Sequence, residues 1–154
     1  MAVAVEIQRA CRVPGEPDDA TIRLWVERAV TRFRDDAEIT VRICDATEGA
    51  ALNERYRHRQ GPTNVLSFPA EGLAEIAPDL LGDVVICAPV ALAEAQAQGK
   101  ALLAHWAHLT IHGTLHLLGL DHQHEAEALA MEALECEIVI GLGFGDPYAG
   151  DLAP

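Results

Sequence analysis

Six of the chain's seven histidines lie between positions 105 and 124, and their spacing is the feature of the sequence most suited to chemistry. The central string is HGTLHLLGLDH, from His112 to His122. On a helix, His112 and His116 stand about 40° apart around the axis and one turn apart along it, so both rings face the same way. Gly119 follows three residues after His116. A glycine there can turn left-handed and end the helix, which lets the chain double back and bring His122 to the same ion. Three neutral imidazoles suit one Zn²⁺ and leave a fourth position open, the arrangement of a catalytic site and not of a closed structural one. Nickel or cobalt accepts the same donors.

The neighbouring histidines leave alternatives. His105 and His108 share a helical face, and His108 also lies four residues before His112. No turn brings a third ligand to that pair, so packing or hydrogen bonding behind the ligands is the role expected of them. His124 competes with His122 but lies beyond the spacing that the glycine turn serves. Asp121 either orients a ligand histidine or is a solvated turn residue. Position 113 carries further information: zinc proteases of the H-E-x-x-H type place their general base directly after the first ligand. Here that residue is Gly113, which argues against ordinary peptide hydrolysis.

A formal net charge of -13 excludes a general nucleic-acid binder, so any RNA contact must be local. One segment departs from the acidic background. Leu52 to Pro69 holds Arg55, Arg57, Arg59 and His58 against a single Glu54. Composition alone also accommodates a solvated helix end with cations near its C-terminus. The four cysteines, at 11, 44, 87 and 136, include no C-x-x-C pair and read as free thiols, Cys44 and Cys87 as buried strand ends.

The elements that must position these residues alternate along the chain. Strands are expected over Val3–Arg9, Glu38–Asp45, Thr63–Phe68 and Gly82–Cys87. Helices are expected over Pro17–Phe33, Thr47–Arg57 with Thr47 as cap, Pro89–Gln98, Ala101–Leu118 and Glu125–Leu142. Gly61 and Pro62 stop the second helix, Pro69 ends the third strand, and Glu71–Leu81 is a loop. Ala101–Leu118 is the most apolar helix and belongs at the centre. A chain of 154 residues without linker, repeat or low-complexity segment reads as one domain, 1–154. No apolar run reaches the roughly 20 residues of a membrane span. Met1–Ala10 lacks the pattern of a signal peptide, so a cytoplasmic location is expected.

Taken together, these blocks resemble the YbeY family of bacterial metal-dependent endoribonucleases. HGTLHLLGLDH is similar to the family signature. LNERYRHRQGPTNVLSFP (52–69), LGDVVIC (81–87) and MEALECEIVIGLGFGDPY (131–148) resemble its further blocks, in the same order. The resemblance implies an α+β fold: a single domain with a small mixed sheet, about five helices and a zinc site at the end of a central helix. It implies one zinc ion on His112, His116 and His122, with Arg57, after Tyr56, as the catalytic arginine. Arg59 keeps the basic position beyond it and is expected to bind substrate. The implied activity is zinc-dependent cleavage of single-stranded RNA in maturation of the 16S rRNA 3′ end and in ribosome quality control. Expected partners are rRNA, the ribosome and assembly factors, with no DNA and no membrane. Two other readings fit the same residues: a non-catalytic assembly factor with structural zinc, and another zinc hydrolase such as a metalloprotease.

Overall fold

The computed structural model describes residues 2–70, 72, 75–120 and 124–148. They form strands β1 (Ala2–Arg9), β2 (Asp36–Cys44), β3 (Val65–Pro69) and β4 (Leu80–Cys87). The helices are α1 (Asp19–Val30), α2 (Ala46–Arg57), α3 (Ala88–Gln98), α4 (Leu102–Leu117) and α5 (Glu125–Gly141). The expected α+β architecture is therefore present, as one small mixed sheet with five helices among the described residues.

The strand order is β1-β2-β4-β3, with β1, β2 and β4 parallel and β3 antiparallel at the edge. Side chains alternate across the sheet. Ile39, Val41, Ile43, Val84 and Ile86 enter the main core, while Cys44, Leu66, Val85 and Cys87 form a smaller cluster. Leu52 of α2, Phe68 of β3 and Val90 of α3 pack against that smaller cluster. The most apolar helix, α4, is central as expected: Trp106, Ile111 and Leu115 are fully buried in the main core beside Trp25 of α1 and Met131 of α5. Cys44 and Cys87 sit opposite each other in the β2–β4 register as free thiols. Burial pushes the Cys44 thiol up to about 12, so it stays protonated and behaves as a small apolar side chain.

The edge strand carries one wall of the site. Cys87 N–H donates to Asn64 O and Ala70 N–H to Leu81 O, at 2.9 and 3.0 Å. Antiparallel pairing alternates, so Val65, Ser67 and Pro69 turn their backbone groups away from β4. Pro69, which has no N–H to satisfy, suits that unpaired side. Across the pair lies Gly82, whose φ is +132°. A Cβ there would come within 2.2 Å of Phe68 O, so only glycine lets the two strands meet at this point.

Several boundaries differ from those expected. Helix α1 begins at Asp19, not Pro17, because the Asp18 side chain accepts the Thr21 N–H at 2.8 Å and caps it. It ends at Val30, short of Phe33. Helix α2 is capped by Asp45, not Thr47: the Asp45 carboxylate accepts the Glu48 N–H at 2.8 Å. A carboxylate is a stronger acceptor than a hydroxyl at the positive end of a helix, and it wins the position. Strand β4 starts two residues early, at Leu80. No helix among the described residues is long and apolar enough to cross a membrane.

Candidate active site

Helix α4 lines its histidines along one side. His105, His108, His112 and His116 follow at steps of three, four and four residues, and successive rings contact edge to face. The Nε2 atoms of His112 and His116 stand 3.1 Å apart. Two nitrogens held about 2.05 Å from one tetrahedral ion lie roughly 3.3 Å apart, so this pair is spaced as two ligands of one metal are. The helix ends as the sequence requires: Leu118 caps it, Gly119 takes φ +99°, and the Gly119 N–H donates to His116 O at 3.1 Å. His122, the third expected ligand, and Asp121 lie outside the described residues.

Behind His112 stands a residue that the sequence reading did not single out. Glu135 of α5 is completely buried, and its carboxylate accepts three hydrogen bonds. His112 Nδ1 bonds to Oε1, and the Tyr148 hydroxyl donates to Oε2. His108 Nε2 reaches Oε2 at 2.8 Å and Tyr148 Oη at 3.2 Å. Burial alone would raise the pKa of Glu135, but the bonds from His108, His112 and Tyr148 outweigh it and hold the carboxyl at about 2. Tyr148 is shifted upward by burial and by its bond to Glu135, so it keeps its proton and remains a donor. Ligand atoms of His108, His112 and Glu135 all lie within 4.8 Å of one another, a cluster able to hold a metal. His105 sits one turn further back, where Nε2 contacts Glu94 Oε1 at 2.9 Å and burial depresses its pKa. These contacts give His105 and His108 the hydrogen bonding expected of them, while His108 also belongs to the cluster that could hold a metal.

A signal for Glu135 was present in the sequence. Met131, Glu135 and Ile138 recur at helical spacing, which places a carboxylate on the apolar stripe of α5. A charged residue on such a stripe must find partners inside the protein. Tyr148, in the GDPY tail, offered no comparable periodicity.

The opposite wall comes from α2 and β3. Arg57 closes α2, and His58 follows in the left-handed conformation with φ 56°. The side chain of Asn53 ties the next turn by donating to Gly61 O at 2.8 Å. Arg57 Nη2 donates to Ser67 O, on the outward edge of β3, at 2.9 Å. Arg57, Arg59, Asn64, Ser67, His112 and His116 thereby line one cavity of about 790 Å³. Four of the five site residues expected from sequence are brought together. Arg55 is turned elsewhere, with its guanidinium 5.2 Å from the centre of the Tyr56 ring. Asn64, also missed by the sequence reading, bridges the cavity wall to α3 through Glu94, at 3.1 Å.

A general base after the first histidine is sterically excluded. A Cβ on Gly113 would stand 2.7 Å from Val84 Cγ1 and 3.1 Å from Val65 Cγ2. Position 113 faces the sheet, and α4 packs there at glycine distance.

The chain is similar to several known proteins. The family model described as Endoribonuclease YbeY matches residues 8–143. A protein named Endoribonuclease YbeY from Pseudomonas putida (strain W619) is 53% identical over 148 residues, covering 96% of this chain and 94% of that protein. The protein of the same name from Pseudomonas entomophila (strain L48) is 53% identical over 150 residues, with the same coverage of 96% and 94%. The solution structure of TM1509 from Thermotoga maritima superposes with a TM-score of 0.61 at 20% identity, over 99% of this chain and 97% of that one. At that identity the likeness concerns the fold alone.

Proposed function

Because this chain belongs to the endoribonuclease YbeY family, we propose that it is a zinc-dependent endoribonuclease that cuts single-stranded RNA in the maturation of ribosomal RNA. One observation carries the reading: a guanidinium and a paired imidazole edge line the same cavity, Arg57 on one wall and His112 with His116 on the other. His112, His116 and His122 would hold one zinc ion, the first two with Nε2 atoms already spaced for it. When bound there, zinc supplies Lewis acidity and activation of water near neutral pH.

The protein's own groups do the rest. Arg57 presents a planar fork of donors, and one of them is spent on Ser67 O. That bond aims the guanidinium so that its remaining donors can hold a phosphate and stabilise the charge that develops on its oxygens. Arg59, on the same wall, would bind the flanking backbone. The two arginines supply the local positive charge that a chain of net charge -13 needs to hold RNA.

The test is cleavage of a single-stranded RNA by the zinc-loaded protein beside His116→Ala purified identically. Turnover by the unsubstituted protein alone is expected. Equal cleavage by both, or none by either, would remove the catalytic reading and favour an assembly factor. A metalloprotease is disfavoured by Gly113, and casein cleavage abolished by a chelator would revive it.

A further inference from the structure

We infer that Glu135 is a positioning residue that sets the tautomer and orientation of His112, with Tyr148 of the C-terminal tail completing its shell. The inference rests on the proposed metal site and says how this chain prepares it. Tyr148 donates to Glu135 Oε2, and the other carboxylate oxygen, Oε1, faces His112 Nδ1 as an acceptor. This geometry has His112 carry its proton on Nδ1, facing Glu135 Oε1. A neutral ring with its proton there has its lone pair on Nε2, the atom that faces His116 at 3.1 Å. An unconstrained imidazole prefers the opposite tautomer, with the proton on Nε2. Glu135 thus selects the form of His112 that can be a ligand and fixes the ring plane at the same time.

By the same reasoning His108 and Glu135, although close enough to His112 to share an ion with it, serve as the shell behind it. His108 meets Glu135 Oε2 through Nε2, so its proton occupies that atom and its lone pair lies on Nδ1. His108 Nδ1 is buried without a hydrogen-bond partner among the described residues, while Nε2 is held by Glu135 and Tyr148. Both oxygens of Glu135 are already engaged, Oε1 by His112 and Oε2 by His108 and Tyr148. His108 and Tyr148 act as the fixed points that keep the carboxylate aimed at His112. Their rings pack edge to face with centroids 5.0 Å apart, which anchors the tail over the carboxylate.

The experiment compares the full-length protein with Glu135→Gln, which keeps shape but lacks the negative charge. Zn²⁺ affinity is read by competition with a chromophoric chelator, the Co²⁺ absorption spectrum reports the donor set, and ¹⁵N–¹H spectra of the metal-free protein report histidine tautomers. Zinc affinity is expected to fall about 10- to 100-fold, the usual cost of losing such a partner. The Co²⁺ bands are expected to keep their positions, and His112 to lose its preference for the Nδ1–H form. Unchanged affinity and tautomer would overturn the inference, and so would a Co²⁺ spectrum of altered donor set, which would make Glu135 a ligand. An unsubstituted protein that binds neither metal would instead overturn the metal site itself. Should Glu135→Gln fail to fold, Tyr148→Phe decides. Removing one of the three bonds should weaken zinc binding about 2- to 10-fold, and an unchanged affinity would count against the inference.

Discussion

The Ser67 hydroxyl donates a 2.8 Å hydrogen bond to the backbone carbonyl of Gly113, joining the edge strand to the helix that carries His112 and His116. The same residue accepts from Arg57 through its own carbonyl. Ser67 therefore sets the distance between the arginine wall and the histidine wall. That distance depends on Gly113 having no side chain. Gly113→Ala would push a methyl into Val84 and Val65, and overpacking of this kind costs about 1–3 kcal/mol. For a chain of this size each kcal/mol lowers the melting temperature by roughly 2–4 °C. Thermal unfolding of the variant checks this, and an unchanged melting temperature would show that α4 can move off the sheet.

Arg57 tests the opposite wall. Arg57→Ala should lower RNA cleavage by about 10²–10³-fold, the range for loss of a charge-stabilising donor, while metal content stays that of the unsubstituted protein. Arg57→Lys should recover little of it, because an ammonium cannot both bond Ser67 O and present a planar fork to phosphate. Zinc lost together with activity would make Arg57 structural and sink its catalytic assignment.

Much of this site was legible locally and little of it globally. The step from His112 to His116 and the turn at Gly119 are properties of a single helix, and the sequence states them outright. The position of Arg57 depends on β3 lying antiparallel at the sheet edge, a pairing between segments that no periodicity records. Glu135 is contacted across 23 residues and a second helix, so its partners could not be read although its place on an apolar stripe could. Asp45 displaced Thr47 as a cap because its carboxylate is the stronger acceptor at the positive end of α2, a choice between two suitable residues that their spacing alone does not decide.

The ion pair that opens α2 gives a pH-dependent prediction. Arg42 holds Glu48 with two bonds, Nε to Oε2 at 2.5 Å and Nη2 to Oε1 at 2.8 Å. The hydrogen bond from Arg42 keeps the Glu48 carboxyl below its ordinary value of 4.5, against a smaller effect of burial. A carboxyl lowered on folding stabilises above its unfolded pKa and loses that contribution as pH falls through the folded one. Both side chains are about a third exposed, at 35% and 31%, so solvent screening limits the pair to about 1 kcal/mol or less. Glu48→Gln should therefore lower stability to denaturant at neutral pH, and the difference should vanish in acid well below 4.5. A difference that persists in acid would mean that the glutamine disturbs packing and not charge.

Metal removal separates a catalytic site from a structural one. The core of Trp25, Trp106, Ile111, Leu115 and Met131 is buried by apolar packing that involves none of the expected zinc ligands. Truncating a buried Trp typically costs about 3–5 kcal/mol, so a core of this composition does not depend on an ion at the end of α4. A ligand at a hundredfold excess over its Kd adds about 2.7 kcal/mol, which is a shift of the transition and not the source of the fold. Chelation should therefore lower the melting temperature while leaving one cooperative transition. His116→Ala should melt where the chelated protein does and stop responding to chelator. Loss of cooperative unfolding on chelation would show the opposite: zinc would be holding the fold, and the assembly-factor reading would gain what the nuclease reading lost.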